Sequence, residues 1–389
     1  MSSSMTKKKR SSSSYLSGRR LFSVGSKLVI WLAAILCFVA LVRLHSESTI
    51  IITDFHKFRT FNHHFQGSPK VAFLFLTRGA LPLDFLWHTF FQNGDVANFS
   101  IYIHSRPGFV FNEKTTRSAF FHDREVRNSI QVTWGEPTMI EAERLLLEAA
   151  LEEPANQRFV LLSDSCVPLY NFRYIYNYLM SSPRSFVDSF LDAKEVRYNP
   201  KMSPIIPKHK WRKGSQWITL IREHAEVVVN DNIVLPVFKK FCRRLRWRPF
   251  AGLGKAGELF SRLLGLYNCI PDEHYMQTLL LMRDLEVELE RRSLTYSLWN
   301  QFVGKEDRNS WHPITFQYAD AGPQQIKEIK DIDHVKYESE DRIEWCRTNS
   351  TSAPCFLFAR KFSPGAAMRL LTSGEIGLFD VATLLDTPI

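Results

Sequence analysis

The sequence predicts an α/β domain, a parallel sheet with helices on both faces, preceded by a single N-terminal transmembrane helix. Two observations carry this. Strand-length runs at Val71–Leu76, Phe99–His104 and Phe159–Leu162 alternate with helical patterns at Pro82–Gln92 and Pro137–Leu151, the order expected of βαβ units. Ahead of them, fifteen apolar residues in a row, Leu28–Val42, follow a tail in which Lys7, Lys8, Lys9, Arg10, Arg19, Arg20 and Lys27 meet no acidic residue.

The apolar run is shorter than the ~20 residues of a full span, and it suits the thinner bilayers of the early secretory pathway if Lys27 snorkels. A cleaved signal peptide would need a shorter basic region and a small-x-small site, which Ala40-Leu41-Val42-Arg43 does not offer. The expectation is therefore an uncleaved signal anchor at 28–44, a cytosolic basic tail at 1–27, a stem at 45–69 and a lumenal domain at 70–389. Locating the charge also removes a nucleic-acid partner. Of the net +10, seven charges lie in the tail, so the folded part is nearly neutral. With 45% hydrophobic residues there is enough apolar matter for a large core, which excludes a disordered chain.

Lumenal placement makes Asn98-Phe99-Ser100 and Asn349-Ser350-Thr351 glycosylation acceptors, and lets Cys346 and Cys355 close a short loop. The pairing of Cys166, Cys242 and Cys269 stays open, and Cys37 falls in the anchor. No CxxC pair or His cluster suggests zinc.

Within the domain, Val71–Leu76 stops at Thr77-Arg78-Gly79, Pro137–Leu151 has apolar positions at Ile140, Leu145, Leu146, Leu147 and Leu151, and Phe159–Leu162 ends at Ser163-Asp164-Ser165. Ile130–Thr133 reads as a further strand, as does Gly214–Leu220, with a helix from Arg222. Lys239–Arg248, six cations in ten positions, reads as the solvated face of an amphipathic helix. Ligands of such sheets bind at the carboxyl ends of the strands, which singles out Thr77, Arg78, His104, Ser105 and Asp164. There is no GxGxxG or GxxxxGK[ST] glycine loop.

Three segments have residues suited to chemistry. Pro271-Asp272-Glu273-His274-Tyr275 sits at an apparent helix start, where acids are also favoured by the dipole alone. Arg197, Lys208, Lys210, Arg212 and Lys213 form a basic set able to clamp a diphosphate. Arg347, Arg360 and Lys361 bracket the Cys346–Cys355 loop.

Phe159–Leu169, Trp211-Arg212-Lys213-Gly214-Ser215-Gln216-Trp217, Pro271–Tyr275 and Trp345-Cys346 with Pro354–Phe362 together resemble the core-2/I-branching β-1,6-N-acetylglucosaminyltransferase family, and more closely its plant brittle-culm-type branch. The resemblance runs in order from Lys70 to the C-terminus. It implies a GT-A-like, Rossmann-type fold in a type II Golgi membrane protein, and inverting transfer from a UDP-sugar to a glycan or glycoprotein hydroxyl. It further implies that no metal or other cofactor is used: Ser163-Asp164-Ser165 lacks the second acid of an Asp-x-Asp, and Asp331-Ile332-Asp333 comes far too late in the chain. Basic side chains would neutralise the leaving diphosphate instead. By this mapping Glu273 is the general base; Arg212 and Lys213, with Arg360 and Lys361, face the diphosphate; Thr77, Arg78 and Asp164 lie near the nucleoside; and Trp299 lines the acceptor groove. The alternative is a catalytically silent, membrane-anchored glycan-binding or scaffolding module with the same fold.

Overall fold

The structure, a computed structural model, describes residues 31–39, 41–42, 65–193, 197–245, 256, 264–265, 267–299, 312–348 and 351–374. The chain divides into two units, Met1–His63 and His64–Ile389. In the first, 31–39 and 41–42 are helical with exposed apolar side chains such as Trp31, Leu36 and Phe38. Among the described residues no helix is long and apolar enough to cross a membrane. The rest of the expected anchor, the basic tail and most of the stem lie outside the described residues, as does Asn349.

The second unit is a mixed α/β domain. It runs β1 (Lys70–Leu76), α1 (Asp84–Gln92), β2 (Phe99–His104), α2 (Thr138–Leu151), β3 (Asn156–Ser163), β4 (Val167–Pro168), α3 (Phe172–Ser181), β5 (Ser185–Phe186), β6 (Thr219–Ile221), α4 (Arg222–Val229), α5 (Val234–Phe241), α6 (Tyr275–Met282), β7 (Leu289–Glu290) and β8 (Thr295–Ser297). It closes with α7 (Pro323–Lys330), β9 (His334–Tyr337), β10 (Arg342–Trp345), the short pair β11 (Arg347–Thr348) and β12 (Thr351–Ser352), β13 (Phe358–Arg360) and α8 (Pro364–Thr372).

The central sheet has the order β2-β1-β3-β6-β5-β7. Strand β1 lies between β2 and β3 and pairs with both in parallel. Alternate β1 side chains feed two cores. Phe73 and Phe75 pack edge-on against Trp87, Phe90 and Phe91 of α1 and against Phe121, on the face also covered by α3, α7 and α8. Ala72 and Leu74 face α2, α4, α5 and α6 on the other side. Helix α1 thus crosses one face and α2 the other, which makes the carboxyl ends of β1 and β3 the point where the winding reverses and a crevice must open. Buried Asp84 ties the following loop to α1, accepting from Thr116 Oγ1 at 2.9 Å and from the Arg117 backbone N–H at 2.7 Å.

Four expectations need correction. The sheet is not wholly parallel, since β6 runs antiparallel to β3. Of Gly214–Leu220 only the last two residues enter β6; the loop before it is held by other partners. Ile130–Thr133 is not a strand, because the free edge of β2 is taken by Arg124–Val126, with Val126 N–H to Ile103 O at 2.8 Å, and Ile130 N–H bonds His104 Nε2 instead at 3.1 Å. The basic run is not one helix face: α5 ends at Phe241, and the Cys242–Cys269 disulfide draws the chain away, with Arg244 N–H to Gly135 O at 2.7 Å. Residues 246–248 of that run lie outside the described residues. The Cys346–Cys355 disulfide is formed as expected and closes the β11–β12 loop.

Candidate active site

At the reversal point, Thr77 continues β1 by bonding His104 O at 2.9 Å, and its hydroxyl is turned onto the Gly79 and Ala80 carbonyls. Asp164 follows β3 directly and is partly exposed, as is its neighbour Ser165, whose carbonyl accepts from Phe362 N–H at 3.0 Å. That bond brings the end of β13 against the end of β3. Strand β13 is itself clamped between β4 and β8. Arg360 and Lys361 are therefore delivered beside Asp164 by three separate stretches of chain.

Arg360 is the hub. Its guanidinium lies 4.3 Å over the Trp217 ring and feels the charges of Asp164 and Asp272 and the neighbouring Cys166 thiol. Burial lowers its proton affinity, while Cys166, Asp164 and Asp272 act in the opposite direction. Burial also lowers that of Lys361, with the neighbouring charges of Arg360 and Arg78 adding to it and Asp164 opposing. The same cations, with Arg244, lower that of His312, after burial. Arg78, Arg244, His312, Arg360 and Lys361 thus share one electropositive neighbourhood. Beside it Thr133, Trp134, Glu136 and Arg244 line an open hollow of about 380 Å³, with Arg244 4.3 Å over the Trp134 ring.

The acidic turn Pro271–Glu273 precedes α6. The Glu273 carboxylate is paired with Arg197 and lies 4.0 Å from Lys213 Nζ, and its carbonyl accepts from Gly214 N–H at 2.9 Å. Gly214 is required by close approach: a Cβ there would stand 1.7 Å from Asp188 O and 2.7 Å from Gln277 Nε2. Asp188 also fixes the loop by accepting from Ser215 N–H at 2.9 Å and Tyr337 Oη at 2.6 Å, and burial pushes its carboxyl up to about 6.

The structure brings together Arg78, Asp164, Arg360 and Lys361, and brings Lys213 to Glu273. Arg212 goes elsewhere: Nε bonds Glu286 at 3.0 Å and Nη1 the His209 and Trp211 carbonyls, so its donors brace the basic loop. Trp299 is 48% exposed, available to a ligand. Asn98 ends a short turn before β2 and is partly exposed. Among the described residues no group of three or more His, Cys, Asp or Glu could hold a metal ion.

Several residues were not singled out by sequence: Arg244, Trp134, His312, Asp188 and Glu143. Only Glu143 carried a signal, an acid at the buried position between Ile140 and Leu147 of α2.

A family model described as Core-2/I-Branching enzyme matches residues 71–330, which contain the ends of β1 and β3 and the Glu273 turn. The chain belongs to the Core-2/I-branching enzyme family. It is accordingly a glycosyltransferase. Among curated proteins, Glycosyltransferase BC10 of Oryza sativa subsp. japonica is 54% identical over 321 residues, 82% of this chain and 80% of that protein. A solved structure of a STIV protein matches at 12% identity and a TM-score of 0.21, covering 40% of this chain and 67% of that one.

Proposed function

We propose that this core-2/I-branching enzyme is an inverting, metal-independent transferase of GT-A-like fold that moves a sugar from a UDP-sugar, N-acetylglucosamine-like or related, to a glycan or glycoprotein hydroxyl. The observation that carries the proposal is the position of Arg360, in electrostatic contact with Asp164 at the β3 end and with Asp272 beside Glu273. One cation thus joins the nucleotide end of the crevice to a carboxylate suited to base catalysis.

In this reading Thr77, Arg78 and Asp164 border the nucleoside, while Arg360 and Lys361, with Lys213, face the diphosphate. The acceptor oxygen attacks the anomeric carbon as the bond to the diphosphate oxygen breaks, and Glu273 takes the hydroxyl proton. Negative charge grows on the leaving diphosphate, where fixed cations stabilise it more than they stabilise the ground state. Arg197 holds the Glu273 carboxylate in one orientation, and exposed Trp299 offers a ring face to the acceptor. Arg212 supports the loop that carries Lys213.

The cellular setting is proposed on sequence grounds: a type II Golgi protein anchored through 28–44, with Asn98 and Asn349 as lumenal glycosylation sites. A panel of UDP-sugars offered to the fragment from about residue 46, with and without EDTA, tests the whole reading. Transfer or hydrolysis of one donor, undiminished by EDTA, is expected. Activity that EDTA abolishes and manganese restores would contradict it.

A further inference from the structure

Below Glu273 lie two acids that this mechanism does not use. Asp272 shares the Pro271–Glu273 turn and is 4% exposed; Glu143 comes from α2, which packs on that turn, and is 1% exposed. Gln216 Nε2 donates to Glu143 Oε1 at 2.8 Å. Glu143 Oε2 and Asp272 Oδ1 are buried with no hydrogen-bond partner among the described residues. The charged groups facing Asp272 are Glu143 from α2, Glu273 from its own turn, Arg197 and, from β13, Arg360. Glu143 is faced by Asp272 and by the neutral Gln216 amide.

Two carboxyls so deeply buried cannot both ionise cheaply, since desolvation and mutual repulsion each favour a bound proton. A bound proton also removes the charge that each of these buried oxygens would otherwise carry with no donor to offset it. An ionised Asp272 would place a further anion beside Glu273 and compete for Arg197 and Arg360, the two cations the reaction needs elsewhere.

We propose that Asp272 and Glu143 are positioning residues: a buried, proton-holding carboxyl pair that keeps the layer under Glu273 neutral, leaving Arg197 to Glu273 and Arg360 to the donor diphosphate. The proposal rests on the roles given above to Glu273 and Arg360. Burial first, then the charge of Glu273, pushes Asp272 up to about 7, and burial followed by Asp272 holds Glu143 well above the usual carboxylate range. The pair titrates as a unit, and its neutrality fails as the pH rises past about 7.

The test has two arms on the lumenal fragment, with circular dichroism as the check on folding. Infrared difference spectra at about pH 6.5, where surface carboxyls are ionised, should show a protonated-carboxyl band that Asp272→Asn and Glu143→Gln each diminish. Calorimetry with UDP should show wild-type affinity falling about tenfold from about pH 6 to about pH 8.5. Asp272→Asn should stay within about twofold across that range, and Glu143→Gln should move the midpoint to lower pH. If Asp272→Asn does not fold, Glu143→Gln carries both readouts. Absence of the band overturns the pair, and an Asp272→Asn affinity profile like that of wild type overturns its positioning role. UDP that binds wild type at no pH would overturn the donor reading and with it that role, and the infrared arm separates this failure from failure of the pair.

Discussion

The Arg197 guanidinium is paired with the Glu273 carboxylate across 76 residues of sequence. The pair is partly buried, so the arginine fixes the carboxylate where solvent screens it incompletely. Replacing Arg197 with Gln should lower kcat by about tenfold while leaving the donor KM near its wild-type value, because Arg197 acts through Glu273. Steady-state kinetics with varied donor check this; a rise in KM alone would assign Arg197 to donor binding instead.

Lys361 and Arg360 are adjacent, and on the proposed reading each should matter to UDP more than to uridine. On that reading Lys361 faces the diphosphate, so Lys361→Gln should weaken UDP binding by about tenfold while sparing uridine. Arg360→Lys keeps the charge but loses the plane lying over Trp217, and should cost comparable affinity. Calorimetry with UDP and uridine checks both. Equal weakening of both ligands would place these residues away from the phosphates.

Gly214→Ala should destabilise the domain by about 1–3 kcal/mol, because the new Cβ would strike Asp188 backbone rather than a movable side-chain end. A denaturant midpoint measures it. The same substitution should reduce activity, since Gly214 also bonds the Glu273 carbonyl.

His104 supplies a pH dependence of stability. Burial lowers its pKa to about 4 from an ordinary 6.5, and its Nε2 accepts from Ile130 N–H, which requires the neutral ring. Between these values the unfolded chain binds the proton and the folded one does not. Stability held above pH 6.5 is therefore lost as the pH falls towards 4, by up to about 3 kcal/mol. Melting curves of wild type and His104→Gln should converge over this window as the pH falls; parallel curves would contradict the assignment.

The legible part of the fold was the part with undiluted local signals. Strands β1 and β3 are buried on both faces, so their apolar runs are continuous, and α2 has a clean stripe. Ile130–Thr133 has the composition of a strand, but pairing depends on a free edge, and Arg124–Val126 occupies it. The Cys346–Cys355 pair could be read because only nine positions separate its members, whereas Cys242–Cys269 depends on how the chain folds back.

The candidate site came from rule and from resemblance rather than from local geometry. Thr77 and Asp164 followed from strand ends, and Glu273, Arg360 and Lys361 from the family pattern. Arg212 and Lys213 could not be separated in advance. Neighbours in an extended segment point opposite ways, and here Lys213 turns to Glu273 while Arg212 turns to Glu286. The stacking of Arg360 on Trp217 and its electrostatic coupling to Asp164 and Asp272 join segments that no local pattern connects.

The central claim is that Glu273 is the base of a single-displacement transfer. The most direct measurement is turnover of Glu273→Gln on the donor that the UDP-sugar panel identifies, with UDP affinity measured on the same preparation. The account predicts kcat lower by on the order of 10²-fold or more, with UDP bound nearly as tightly as by wild type. Undiminished turnover would contradict it.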